Sequence, residues 1–119
     1  MIHAFSFPKP DKLMSLNDRE HWAIKAKRTV AWRDSAWAYS KQSINKSLSH
    51  SVVAVSLPVA SLKTRRDPHN FIATVKPIID GMVDAGLWPD DTAEWVEVRE
   101  PHFHIGKDVV VVITTDEPA

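Results

Sequence analysis

The 119-residue sequence has no cysteine, which excludes disulfide staples and thiolate metal sites and is compatible with a reducing compartment. No apolar run approaches the roughly 18 residues needed to span a bilayer, so no membrane partner is expected. The opening stretch, Met1-Ile2-His3-Ala4-Phe5, lacks the charged segment and long apolar core of a secretory signal, and a soluble protein that stays where it is made is expected. Net charge is missing too: 15 Lys and Arg balance 15 Asp and Glu. Neutrality alone argues against a nucleic-acid partner. What remains is an ordinary globular composition, 44% hydrophobic and 25% charged, in a length that suits one domain, 1–119, with its own core.

The distribution of charge reopens the case for nucleic acid. Residues 1–66 carry 12 Lys and Arg against 4 Asp and Glu, whereas residues 67–119 carry 3 against 11. Such asymmetry suggests one surface for a polyanion and another for cations. The plainer alternative is that the two halves attract each other across the fold.

Along the chain, Ile2–Phe7 predicts a strand stopped by Pro8 and Pro10. Asn17 and Glu20 match a capping box that opens a long helix, with Trp22, Ala23, Ala26, Val30 and Trp37 as its buried stripe. Around that stripe lie Arg19, Lys25, Lys27, Arg28, Arg33 and Lys41, either a phosphate-binding face or merely a solvated one. Val52–Ala60 predicts a second strand, with Pro58 marking an edge or an early end. A second helix presents Phe71, Val75, Ile78, Ile79, Met82 and Val83 on one face and ends at Gly86. Pro77 implies that it starts near Thr74, or starts at Asn70 and kinks. Glu94–Glu100 and Asp108–Thr115 predict two strands forming a hairpin around Gly106. The order β-α-β-α-β-β gives a single α/β (α+β) domain, a small mixed sheet packed by two helices.

The chemistry-bearing residues cluster around the second helix. Asp67 follows the basic run Lys63-Thr64-Arg65-Arg66, and Asp90-Asp91 lie just beyond the helix. Phosphodiester hydrolysis needs an activated water and neutralised phosphate charge, which Mg²⁺ held by two to four carboxylates supplies. Turn aspartates are more commonly turn formers and caps, so spacing alone leaves both readings open. His102 and His104 share a strand face that would suit Zn²⁺ with a third ligand, though partly exposed strand positions are the commoner role. The tryptophans read mainly as core. Trp88, in the loop beside the Asp pair, is the best placed to pack against an unstacked base.

Arg65-Arg66-Asp67-Pro68-His69-Asn70, then Lys76 and Asp80, then Asp84-Ala85-Gly86-Leu87-Trp88-Pro89-Asp90-Asp91, resemble the core of the RusA family of Holliday-junction endodeoxyribonucleases, chiefly its phage and prophage type. The close resemblance covers about a quarter of the chain. It implies a homodimer that binds four-way DNA junctions and nicks two strands symmetrically with Mg²⁺ (Mn²⁺ as substitute), in recombination, repair or phage DNA processing in a bacterial cytoplasm. No small-molecule cofactor is implied. Asp67 and Asp91 match the family's catalytic aspartates, with Asp90 as supporting ligand, and Lys76 its helical lysine, which would stabilise developing phosphate charge. An ion pair with Asp80 is the alternative role for Lys76. Lys25, Lys27, Arg28, Lys63, Arg65 and Arg66 are the expected phosphate contacts.

Two departures mark this chain. His69 replaces an acidic position, and histidine is a poor Mg²⁺ ligand but a serviceable base. The step from Asn70 to Lys76 is three residues longer than in the familiar enzymes, which would shift the lysine by about 5 Å along the helix. Asp80 or Asp90 would then stand in for the missing acid. The other readings are a branched-DNA-binding protein that has lost cleavage, a less specific branched-DNA nuclease, and a small structural protein with incidental turn aspartates.

Overall fold

In the computed structural model, which describes residues 1–116, the chain runs β1 (Ile2–Pro8), α1 (Trp22–Ser43), β2 (Ser51–Val59), a 3₁₀ turn (Pro68–Phe71), α2 (Ile72–Asp84), β3 (Val96–Val98), β4 (His102–Ile105) and β5 (Asp108–Thr115). The five strands form one mixed sheet. β5 lies between β1 and β2, antiparallel to both. β3 and β4 run parallel to β2 along its other edge, β3 opposite Ser51–Val53 and β4 opposite Ser56–Val59. The α+β class, with a mixed sheet and two helices, is as the sequence predicts.

The expected hairpin around Gly106 does not form. β4 and β5 pair with opposite edges of β2, and the Gly106-Lys107 turn crosses over the end of β2 between them. Gly106 N–H donates to the Val59 carbonyl (3.3 Å), and Lys9 N–H to the Lys107 carbonyl (3.2 Å). A Gly between two strand-like runs is a hairpin signal only when the runs pair with each other, which local sequence does not encode. β4 is also one strand more than expected. Pro101, with no N–H to donate, separates it from β3.

One face of the sheet carries the core. Phe5 and Phe7, Val53, Val55 and Leu57, and Val109, Val111 and Ile113 alternate along three strands in register and are all buried. Trp32 and Ala36 from α1 and Val75, Ile78, Ile79 and Met82 from α2 join the same cluster. The α2 stripe is the one expected. Its helix begins at Ile72, between the two expected starts, leaving Pro77 an interior residue. Gly86, at φ 90°, ends it: its N–H reaches the Val83 carbonyl (2.9 Å) and that of Leu87 the Met82 carbonyl (3.2 Å).

The long first helix departs from expectation twice. His21, not Asn17, is the N-cap, its Nδ1 accepting from Ala23 N–H at 3.1 Å. Asn17 lies in a turn that Asp18 closes by accepting from Ser15 N–H, and Glu20 takes Arg28 rather than a backbone donor. The buried stripe is Trp32, Ala36 and Ser40, while Trp22, Val30 and Trp37 are 76%, 55% and 42% exposed. Ala36 sits where α2 comes closest, against Gly81, while Trp32 packs edge-on to Phe7 in the core.

Candidate functional site

Lys76 lies on the exposed side of α2, one turn before Asp80. Its ammonium donates to Asp80 Oδ1 (2.8 Å) and to Asp91 Oδ2, so one cation ties together two of the acids singled out from the sequence. Asp91 arrives from the loop after α2, where the Asp90 carboxylate accepts its N–H at 2.6 Å and fixes the turn. A cavity of about 220 Å³, walled by Ile72, Val75, Ile79 and Val98, opens beside Lys76 and Asp91.

The electrostatics follow from this arrangement. Hydrogen bonds to Asp80 and then Asp91 hold the Lys76 ammonium above the ordinary lysine range, outweighing desolvation. Lys76 in turn holds the Asp91 carboxyl below the ordinary aspartate range, with the Asp90 contact adding to the effect. The Asp80 and Asp91 carboxylates both accept charge-assisted bonds from this one ammonium, which orients them.

Asp67 stands at the entrance to the same helix. Its Oδ1 accepts from His69 N–H (3.1 Å) and its carbonyl from Asn70 N–H (3.0 Å), which makes it the cap of the 3₁₀ turn. The Asn70 carbonyl accepts from Leu16 N–H (2.7 Å), tying the turn to the segment before α1. His69 is exposed. Among the described residues, no three His, Asp or Glu side chains are grouped so as to hold a metal ion. Asp67 at the entrance to α2 and the Asp80–Lys76–Asp91 group on its exposed side thus form no ready cage.

The expected phosphate contacts divide. Lys25, Lys27, Lys63 and Arg65 are exposed. Arg66 is half-buried, its Nη1 donating to the carbonyls of Ser61 (2.8 Å) and Thr64 (3.2 Å) while its guanidinium lies over the Phe103 ring. Arg28 does not fit the expected role: it is paired with Glu20 and with Asp11 (3.4 Å), so its charge is neutralised within the protein.

Trp88 corrects another expectation. It is 2% exposed, and its indole N–H donates to Ser51 Oγ (3.0 Å) inside the core, so it cannot stack on a base. A tryptophan beside a turn is as well suited to plugging the sheet end as to facing solvent. His104 uses both ring nitrogens, one with Ser56 Oγ (2.6 Å) and the other with the Asp108 carbonyl (2.9 Å), which leaves no pair with His102 for Zn²⁺.

Two positioning contacts were not foreseen. Thr74 is buried, its hydroxyl donating to the Met14 carbonyl and accepting the Met14 N–H, both at 2.7 Å, and so pins the first turns of α2 two residues before Lys76. Arg33 and Asp84 form a two-bond ion pair between the helices at 2.6 and 2.9 Å. Neither has a local sequence signal, because each partner lies some fifty residues or more away. Comparison with known protein families and with curated protein sequences yields no match.

Proposed function

We propose that this chain is a divalent-metal-dependent endodeoxyribonuclease of the RusA type, acting as a homodimer on branched DNA, four-way junctions foremost, in the cytoplasm of a bacterial cell. The observation that carries the reading is Lys76 shared between Asp80 and Asp91 beside an open cavity. These are three of the residues the family resemblance singles out, and they join although fifteen positions separate the lysine from Asp91. No helix among the described residues is long and apolar enough to cross a membrane.

The donor set is chemically suited to Mg²⁺, which takes hard oxygen ligands and retains several waters. Asp91 and Asp80, which already share one cation, would hold it, with Asp67 and Asp90 as further oxygen donors. When bound, the ion would make a ligating water more acidic and offset phosphate charge. The chain's own groups do the rest. Lys76 holds the two carboxylates together, and one of its donors can turn to a non-bridging phosphate oxygen. Arg65 and Arg66 would hold the phosphates that flank the reacting one, and His69, exposed two residues after Asp67, would serve as the proton acceptor.

A second reading, junction binding without cleavage, is favoured by the lack of any three-ligand group among the described residues. The assay that tests both is incubation of a labelled four-way junction with no metal, with Mg²⁺ and with Mn²⁺, mapping products on all four strands. Paired symmetric nicks that require metal support the nuclease. A retarded but intact junction under every condition supports the binding protein, and neither retardation nor nicking refutes both.

A further inference from the structure

Cations from three separate segments meet where β2 ends. The β4–β5 turn brings Lys107 across the end of that strand, and the Lys9–Lys107 backbone bond holds the chain leaving β1 against it. Lys12 follows three residues later, and Arg66 comes from the loop after β2. Two open clefts of about 320 and 360 Å³ lie here and share Lys9, Pro58, Val59 and Ala60 as a common wall. Lys12 and Arg66 line the first cleft and Lys107 the second.

The charge balance of the two clefts is positive. Among the described residues, none of the four cations forms a salt bridge with a carboxylate. Asp18 is the one acid that lines either cleft, against four cations. Arg66 uses only Nη1 on backbone carbonyls, which leaves Nε and Nη2 free to donate. Concentrating four positive groups on one concave end of a neutral protein creates a local field that attracts polyanions. The wall between them is apolar, with Pro58, Val59 and Phe71. Apolar wall and cationic rims together match a sugar-phosphate strand, whose sugars are apolar and whose phosphates repeat at regular intervals. The location also connects to the candidate centre. Arg66 precedes Asp67, and Phe71 of the first cleft precedes Ile72, which walls the cavity at Lys76 and Asp91.

We infer that this end of the sheet is a binding trough for the backbone of one DNA strand, in which Lys107, Lys9, Lys12 and Arg66 hold successive phosphates and lead the strand to Asp67. The inference rests on the nuclease reading, since it takes DNA as the ligand. It assigns the main phosphate contacts to Lys9, Lys12 and Lys107 in place of the cations of α1.

Fluorescence anisotropy with a labelled four-way junction, across a salt series without metal, tests it. Lys9→Ala/Lys107→Ala should weaken binding roughly tenfold and reduce the slope of log affinity against log salt by about 1.8, two phosphate contacts at about 0.9 each. Lys41→Ala/Lys46→Ala, which removes the same charge elsewhere, should leave the slope unchanged. Acetylation of the wild-type chain, read by mass spectrometry, should show Lys9, Lys12 and Lys107 protected by the junction. Wild-type slope in the first variant, or no protection at these lysines, overturns the trough while leaving DNA binding intact. A wild-type chain that binds no DNA at low salt overturns the nuclease reading and the trough with it.

Discussion

Gly81 of α2 and Arg33 of α1 meet backbone to backbone: a Cβ placed on Gly81 would lie 2.2 Å from the Arg33 carbonyl oxygen. The same Cβ would lie 2.9 Å from both Ala36 Cβ and Trp37 N. None of these obstacles is a flexible side-chain end, so relief requires the helices to separate. Gly81→Ala should destabilise the protein by about 3 kcal/mol or more, the upper range for overpacking. Urea denaturation followed by circular dichroism measures this, and a loss below about 0.5 kcal/mol would show that the helices part readily.

The Lys76 group carries a pH signature of defined sign. Asp91 has its pKa depressed, so its contribution is present above the ordinary aspartate value of 3.8 and is lost as pH falls through the folded value. Lys76 has its pKa raised, so its contribution is present below the ordinary lysine value of 10.5 and is lost as pH rises through the folded value. The stability difference between wild type and Lys76→Ala should therefore be flat between these limits and shrink beyond both. With the lysine side chain 57% exposed, solvent screening keeps it under about 1 kcal/mol. In the cleavage assay the same variant should lose activity yet still bind the junction.

Removing single carboxylates separates chemistry from binding. Asp67→Asn and Asp91→Asn should abolish nicking and leave junction affinity within about twofold, because neither residue is a cation that holds phosphate. His69→Asp should move the metal preference from Mn²⁺ towards Mg²⁺ by adding a hard oxygen ligand. If His69→Ala cleaves like wild type with either ion, the imidazole has no part in the reaction. Full activity in Asp67→Asn would remove that residue from the centre.

On the proposed reading, symmetric nicking requires two copies, and the exposed flank of α1 is the expected meeting surface. Trp22, Ala26, Val30 and Trp37 form an apolar stripe there, and an antiparallel pairing of two α1 helices about Val30 and Ala31 sets Asp34 of each copy against Lys27 of the other. Sedimentation should give twice the 13.4 kDa chain mass, and Trp22→Glu/Val30→Glu should give the single mass. A dimer that survives both substitutions would place the interface elsewhere, and a wild-type monomer that still cleaves in pairs would contradict the two-copy scheme.

The sequence was most legible where chemistry is local. The α2 stripe, its Gly86 terminus, the Lys76–Asp80 spacing and the β2 and β5 runs could all be read from neighbours a few positions apart. It was misleading in α1, where bulk apolar periodicity at Trp22, Val30 and Trp37 marked the outer flank. The buried face is Trp32, Ala36 and Ser40, with Ala36 fitting against Gly81. Partners distant in the chain were not legible: Asp91 reaching Lys76, Thr74 clamping Met14, and β5 entering between β1 and β2. Such pairings depend on which strand edges remain open once the chain has collapsed.

The place of β5 bears on how the protein comes into being. β1 and β2, made early, touch no common strand until residues 108–115 slide in antiparallel to both. During translation the sheet therefore lacks its centre, and two apolar strands expose unpaired edges while the helices are already complete. The sheet cannot close until β5 is made, and a chain cut before residue 108 should leave the facing edges of β1 and β2 unpaired. In the finished molecule that strand is bonded on both sides, and those two edges are closed.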